Sequence, residues 1–321
     1  MLPRSSSFAV AVARALNLRL PLPLPLPLLV SRRCSDLQLH RRLHSLPPLK
    51  QLVVASPALT SFRSRSFLAR RTMSSSSDKK DLSPQDSAKR QAAYEAVDAL
   101  VTPGMRLGIG SGSTVVFVVE RLVELVRGGK LKDLLCVPTS FQSTQLIIAS
   151  GGALTLTDLS RTPELDLALD GADEVDDNLN CIKGGGACML QEKIVAASAK
   201  KFVVVADETK DSKRLGEKWK KGIPLEVVPM AHVPVMNKLK AMGGKPVLRM
   251  AGEKKAGPVV TDNGNFVVDV DFGLLGGDSG RDVAQLDQQL QAIVGVVETG
   301  LFVGMASKAY FGNKDGSVSS R

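Results

Sequence analysis

The chain has 321 residues, 44% of them apolar, enough for two domains around real cores. Its net charge of +10 hints at a polyanion partner, yet residues 1–72 hold twelve of the 42 basic and one of the 32 acidic residues, and the remaining 30 and 31 nearly cancel. That balance excludes a nucleic-acid surface, His232 as the sole histidine after residue 72 excludes His-based triads and His-rich metal sites, and no run of 18 apolar residues marks a membrane span.

Residues 1–72, rich in Arg, Ser and Leu and poor in acids, have a transit-peptide composition. The prolines of "PLPLPLPLLV" (21–30) break the amphipathic helix such a peptide uses, so the segment reads as disordered. Met73 offers an internal start, and "SSSSDKKDLSPQD" (74–86) reads as a linker. Cys34, Cys136, Cys181 and Cys188 form no CxxC pair and read as reduced thiols of an intracellular protein.

Helical spacing runs from Ser87 to Val101, stopped by "TPG". "MRLGIG" (105–110) is then a strand, "TVVFVVERLVELVRGG" a helix, "LLCVPTS" a strand, "FQSTQLIIASGG" a helix and "ALTLTDL" a strand. "ELDLALD" (164–170), a helix from Ala187 to Lys200 and "FVVVAD" (202–207) continue the alternation, which predicts an α/β fold: a doubly wound, mostly parallel, Rossmann-like sheet. From Gly222 the order becomes strand, helix, strand, a hairpin whose Asn263-Gly264 suits a type I′ turn, helix, strand. That is the split βαβ of a smaller ferredoxin-like α+β domain. The expected organisation is an extension and linker at 1–84, a Rossmann-like catalytic domain at 85–222 plus 296–321, and the small domain at 223–295.

In an open parallel sheet, ligands bind beyond the carboxyl ends of the strands, and four polar motifs fall there. "GIGSGST" (108–114) has serine where a dinucleotide fingerprint has its third glycine, and no Lys for a P-loop. It reads as a hydroxyl-rich anion loop at a helix start or as a plain capped turn. "LDGADEVDD" (169–177) sets Asp170 and Asp173 around a tight turn, suited to sugar hydroxyls more than to a metal, because no further ligands cluster there. "KGGGACMLQEKIV" (183–195) joins Lys183 and three glycines to Glu192. The helical neighbours of Glu192 (Cys188, Met189, Val195, Ala196) are uncharged, a setting that raises a carboxyl pKa and suits a general base. Lys210 follows the strand "FVVVAD" and alone would be a surface lysine.

Together "GIGSGST", "LDGADEVD", "KGGGA...QEKIV", "VADETK", "PLEVVPMA", "VTDNGNFVVDV", "GVVETGLF" and "YFGNKDGSV" resemble the ribose-5-phosphate isomerase A family, animal-type members most, over residues 85–321. The resemblance implies interconversion of D-ribose 5-phosphate and D-ribulose 5-phosphate through a cis-enediolate, in the non-oxidative pentose phosphate pathway. It implies Glu192 as proton acceptor, Lys183 as oxyanion stabiliser and Asp170 as an aid to ring opening. Substrate contacts carry over to Ser111, Gly112, Ser113 and Thr114, to Asp170, Gly171, Ala172 and Asp173, to Lys183, Gly184, Gly185 and Gly186, and to Lys210. It also implies no cofactor or metal, a homodimer or homotetramer, and no nucleic-acid or membrane partner. The expected location is cytoplasmic, or organellar if residues 1–72 act as a transit peptide. A non-catalytic sugar-phosphate sensor and an acyl-CoA transferase of similar fold are the competing readings.

Overall fold

The computed structural model describes residues 82–321 apart from 278–279. The leader reading of residues 1–72, and the linker as far as residue 81, lie outside the described residues. Within the expected linker a helix already begins: α1 spans Pro84–Leu100, with the Ser83 side chain accepting from Asp86 N and proline at the first turn. "SPQD" is therefore an N-cap signature, in which a hydroxyl satisfies an orphan N–H and proline occupies a position that needs no donor.

A seven-stranded sheet forms the centre of the large domain, in the order β14-β13-β7-β4-β1-β2-β3. Its strands are β1 (Arg106–Ile109), β2 (Leu135–Pro138), β3 (Thr155–Leu156), β4 (Leu167–Asp170), β7 (Phe202–Asp207), β13 (Ala306–Gly312) and β14 (Val318–Ser320). All neighbours pair in parallel except β13 with β14. The expected doubly wound architecture follows from the period-2 alternation of buried residues. Leu167, Leu169, Val203 and Val205 join α1, α2 (Ser113–Arg127) and α3 (Phe141–Ala149) in one core, whereas Ala168, Val204 and Ala206 meet α4 (Met189–Ala197) in another. In α2, Val115, Val118, Val119, Leu122 and Leu125 form the buried stripe, each full burial of a Val or Leu contributing about 1.5–3 kcal/mol.

A second, antiparallel sheet has the order β11-β8-β10-β9, built from β8 (Ile223–Val227), β9 (Lys245–Leu248), β10 (Phe266–Asp271) and β11 (Val296–Thr299), with α5 (His232–Ala241) and α6 (Val283–Gln291). Numbered within the unit this is 4-1-3-2, the ferredoxin-like order. Two details differ from expectation. β11 pairs with β8 inside the small sheet, so the chain returns to the large domain after Thr299, not at 296. The 261–264 turn is closed by Gly264 N donating to Thr261 O, and only Gly264 has positive φ (+80°). That is a type I turn followed by a left-handed glycine, because type I′ would also need Asn263 left-handed.

Candidate active site

β1, β4 and β7 lie side by side in the middle of the large sheet and end at the same edge. Ser111–Thr114 follow β1, Asp170–Asp173 close β4, and Asp207–Lys210 close β7. A short antiparallel arm, β5 (Glu174–Val175) and β6 (Cys181–Ile182), doubles back after Asp173 and is flanked by β12 (Leu301–Phe302). Asp173 N donates to Ile182 O at 2.8 Å, and this pairing brings Lys183 back over the end of β4.

Lys183 Nζ lies 2.9 Å from Asp170 Oδ2 and 3.2 Å from Glu192 Oε2, and donates to Gly171 O at 2.5 Å. All three side chains are buried. Asp170 Oδ1 accepts from Ser111 N (2.9 Å) and Gly171 N (2.7 Å). The approach of β1 that allows this requires glycine at 110, where a Cβ would overlap the Asp170 carboxylate. Glu192 lies on the inward stripe of α4 with Met189, Val195 and Ala196. Its Oε2 is near the Lys183 ammonium but off the hydrogen-bonding direction, and has no hydrogen-bond partner. Burial, and then the negative charge of Asp170, push the Glu192 carboxyl up to about 8 against the pull of Lys183. Burial also works against the Lys183 charge, but Asp170 and Glu192 together outweigh it and hold the ammonium above the usual lysine range.

The segment after Lys183 departs from the expected helix. Gly184 is left-handed (φ +98°), Ala187 is left-handed (φ +62°), and α4 starts only at Met189 with Cys188 as its cap. Residues 184–187 are thus a loop. Gly185 N donates to Asp173 Oδ2 at 2.6 Å, while burial raises the Asp173 carboxyl above its ordinary range. Opposite, α2 begins at Gly112 with no side-chain cap and no acid in its first turn, leaving its N–H groups and positive dipole end for an anion. The Ser111 hydroxyl is engaged with Thr139 (2.8 Å) and Ser140 (2.6 Å), so Ser113 and Thr114 are the freer hydroxyls of that loop.

A cleft of about 250 Å³ collects Ser111–Thr114, Gly171–Asp173, Lys183–Gly186, Glu192 and Lys210. Of the residues expected from sequence, Asp170 alone stays out of the lining, its oxygens turned to Lys183 and to the Ser111 and Gly171 amides. A family profile described as ribose 5-phosphate isomerase A (phosphoriboisomerase A) matches residues 135–316. The ribose-5-phosphate isomerase of Dictyostelium discoideum is 58% identical over 234 residues, covering 72% of this chain and 96% of that one. The Homo sapiens enzyme is 53% identical over 241 residues, 75% of each chain. A solved D-ribose-5-phosphate isomerase in complex with phospho-erythronic acid superposes with a TM-score of 0.69 at 36% identity, covering 74% of this chain and 98% of that one.

The chain belongs to the ribose 5-phosphate isomerase A family.

Three further residues line this ribose 5-phosphate isomerase A cleft that sequence reasoning did not single out: Gln85, Lys89 and Asp207. Gln85 donates to Asp207 Oδ2 (3.2 Å), and Asp207 Oδ1 accepts from Thr209 N (3.0 Å), which fixes the 3-10 turn carrying Lys210. Asp207 could have been found by the strand-end rule that flagged Asp170. Gln85 and Lys89 carry no such signal, because α1 reaches the edge through its packing on α2, β13 and β7, all distant in sequence.

Proposed function

We propose that the chain is an aldose–ketose isomerase that interconverts D-ribose 5-phosphate and D-ribulose 5-phosphate through a cis-enediolate, as the names of its relatives and the cleft chemistry together suggest. The observation that carries the mechanism is Glu192: a buried carboxyl that lines the polar cleft, lies 3.2 Å from the Lys183 ammonium and has its pKa raised to about 8. A carboxylate that ionises near neutral pH can take a proton from carbon and return it. Glu192 takes the proton from C2 of the open-chain aldose, the C–H electron pair forms C1=C2, and negative charge collects on O1. Lys183, kept as an ammonium by its two carboxylates, stabilises that oxyanion and is unsuited to Schiff-base attack. Return of the proton to C1, and transfer of the O2 hydroxyl proton to O1, complete the ketose.

Asp170 acts here as the counter-charge that holds Lys183. Opening of the furanose falls to Asp173, whose carboxyl lines the cleft and is raised by burial. The phosphate is assigned to the Ser113–Thr114 helix start, with Lys89 and Lys210 as the lysines that also line the cleft. The pentose phosphate pathway is the setting that this reaction implies. A cytoplasmic location is supported by three free thiols, Cys136, Cys181 and Cys188. Self-association as a homodimer or homotetramer is supported by the nearly bare Met230 and Val294 of the small domain; light scattering on the purified chain tests it.

The deciding test is Glu192→Gln, which keeps shape and removes the base. Turnover should fall by about 10²–10⁴-fold with KM much less changed, and solvent deuterium should enter the product of the native enzyme beside the carbonyl. Near-native turnover in the Gln variant would remove Glu192 from the mechanism.

A further inference from the structure

We infer that Arg249, backed by Asp269, is a positioning residue that aims the glycine-loop amides at the oxyanion of the reaction; the inference rests on the enediolate reading of the cleft. Every catalytic and substrate-contacting group above belongs to the large domain, but the 184–186 loop is gripped from the small one. Arg249 lies just beyond β9, and its Nη1 donates to Gly184 O at 2.9 Å and to Gly185 O at 3.1 Å. The rest of the guanidinium is closed on β10: Nε donates to Asp269 Oδ2 (2.8 Å) and Nη2 to Asp269 Oδ1 (2.5 Å). A bidentate fork cannot swivel as an ammonium would, so the two carbonyls are held in one direction.

The geometry of the peptide unit converts that grip into a statement about donors. In a planar trans peptide the N–H points opposite to the C=O. With Gly184 O turned to Arg249, the next amide, Gly185 N–H, is delivered to Asp173. With Gly185 O turned to Arg249, Gly186 N–H faces away from the guanidinium. It has no hydrogen-bond partner among the described residues, and Gly186 lines the cleft beside Lys183 and Glu192. A glycine stretch has almost no intrinsic preference for this orientation, since Gly visits both halves of φ space freely. Ala187 N–H donates to Gly184 O (2.9 Å) and Asp173 holds Gly185 N–H, so the 184–185 peptide is also fixed from the large domain; Arg249 is the side chain that fixes the Gly185 carbonyl and with it the Gly186 amide. Its charge also lies close enough to help hold the Asp173 carboxyl down against the effect of burial.

The test compares Arg249→Gln, Arg249→Lys and Asp269→Asn with the native chain, using turnover of ribose 5-phosphate and titration with phospho-erythronic acid, whose carboxylate stands in for the enediolate oxygens. For both Arg249 variants kcat should fall about 10- to 100-fold, since an oxyanion donor that is loosened retains part of the 10²–10³-fold value of a fixed one, and KM should move less than threefold. Affinity for phospho-erythronic acid should weaken in step with kcat/KM, which a general loss of stability would not produce. Asp269→Asn, which retains the arginine, should show a smaller loss of the same kind. In Arg249→Ala, added guanidinium should recover part of the turnover. Native-like kcat in a folded Arg249→Gln, or a kcat loss with unchanged phospho-erythronic acid affinity, overturns the assignment. If the Arg249 variants do not fold, Asp269→Asn with unaltered kcat overturns it. Should the native chain neither turn over ribose 5-phosphate nor bind phospho-erythronic acid, the enediolate reading itself falls, and this one with it.

Discussion

The two ends of the cleft hold charge in opposite ways. At one end Gly112 and Ser113 are exposed, Lys210 is half-buried, and the anion site rests on helix-end amides and hydroxyls open to water. At the other, Lys183, Asp170 and Glu192 are sealed together, with Lys183 only 2% exposed. Water-facing groups can attract and hold a substrate at little structural cost. Only the dry end can push a carboxyl pKa far up, and it does so by burying Glu192 beside the Asp170 charge where solvent cannot relieve either. Binding and proton transfer are therefore separated along a single sheet edge.

The sharpest way to break that contrast is Lys183→Met. It leaves Asp170 and Glu192 facing each other without a cation, a loss of one partner from a buried cluster that costs about 3–5 kcal/mol. Denaturant unfolding should show a drop of that order, and turnover should vanish with it. A loss below 1 kcal/mol would mean that the dry end is wetter than its geometry implies.

The next test concerns pH. Folded Glu192 retains its proton up to about 8, whereas the unfolded chain releases it near 4.5. Between those values the folded state binds more protons, so this residue's contribution to stability declines as pH rises. Glu192→Gln does not titrate, and its Tm should exceed that of the native chain by several degrees at pH 8, the gap closing towards pH 5. In the native enzyme kcat/KM should rise through about pH 8 as the base ionises. A flat profile with equal melting curves would refute the raised pKa.

The open end gives the smallest effect. Lys210→Ala should raise KM about tenfold and leave kcat within twofold, and the KM difference should shrink between low and high salt, as expected for a solvent-screened contact. A salt-independent loss of kcat would move Lys210 into the proton-transfer machinery.

Much of this arrangement is legible in the sequence, because it is written in periodicity. The valine and leucine spacing of α2, the all-buried "LALD" of β4, and Glu192 on an apolar stripe each follow from a short window. What escapes is set by contacts between distant segments. Nothing near Asp170 shows that its oxygens turn to Lys183 and the Ser111 amide and not to the cleft. The false start of α4 has a similar cause: Ala187 is an excellent helix former, yet it is left-handed in a loop whose Gly184 and Gly185 carbonyls are tied to Arg249, 65 and 64 residues away. Lys89 and Gln85 reach the site because α1 crosses β13 closely, at Gly312, where a Cβ would run into the Ala88 carbonyl.

The crossover from β4 to β7 has a consequence for how such a protein can be rebuilt. Asp170, Asp173, Lys183, Glu192 and Asp207 all lie between the end of one central strand and the end of its neighbour, and Lys210 follows three residues later. The proton-moving chemistry thus occupies one contiguous stretch of chain seated on two parallel strands, and its supports from outside are few: Gly110 and the Ser111 amide beside Asp170, and Arg249 on the glycine loop. Loops elsewhere, such as the exposed Gly128–Lys130 turn after α2, can be opened for new termini or given insertions without disturbing a charged atom of that stretch. The fold can be rewired around its chemistry.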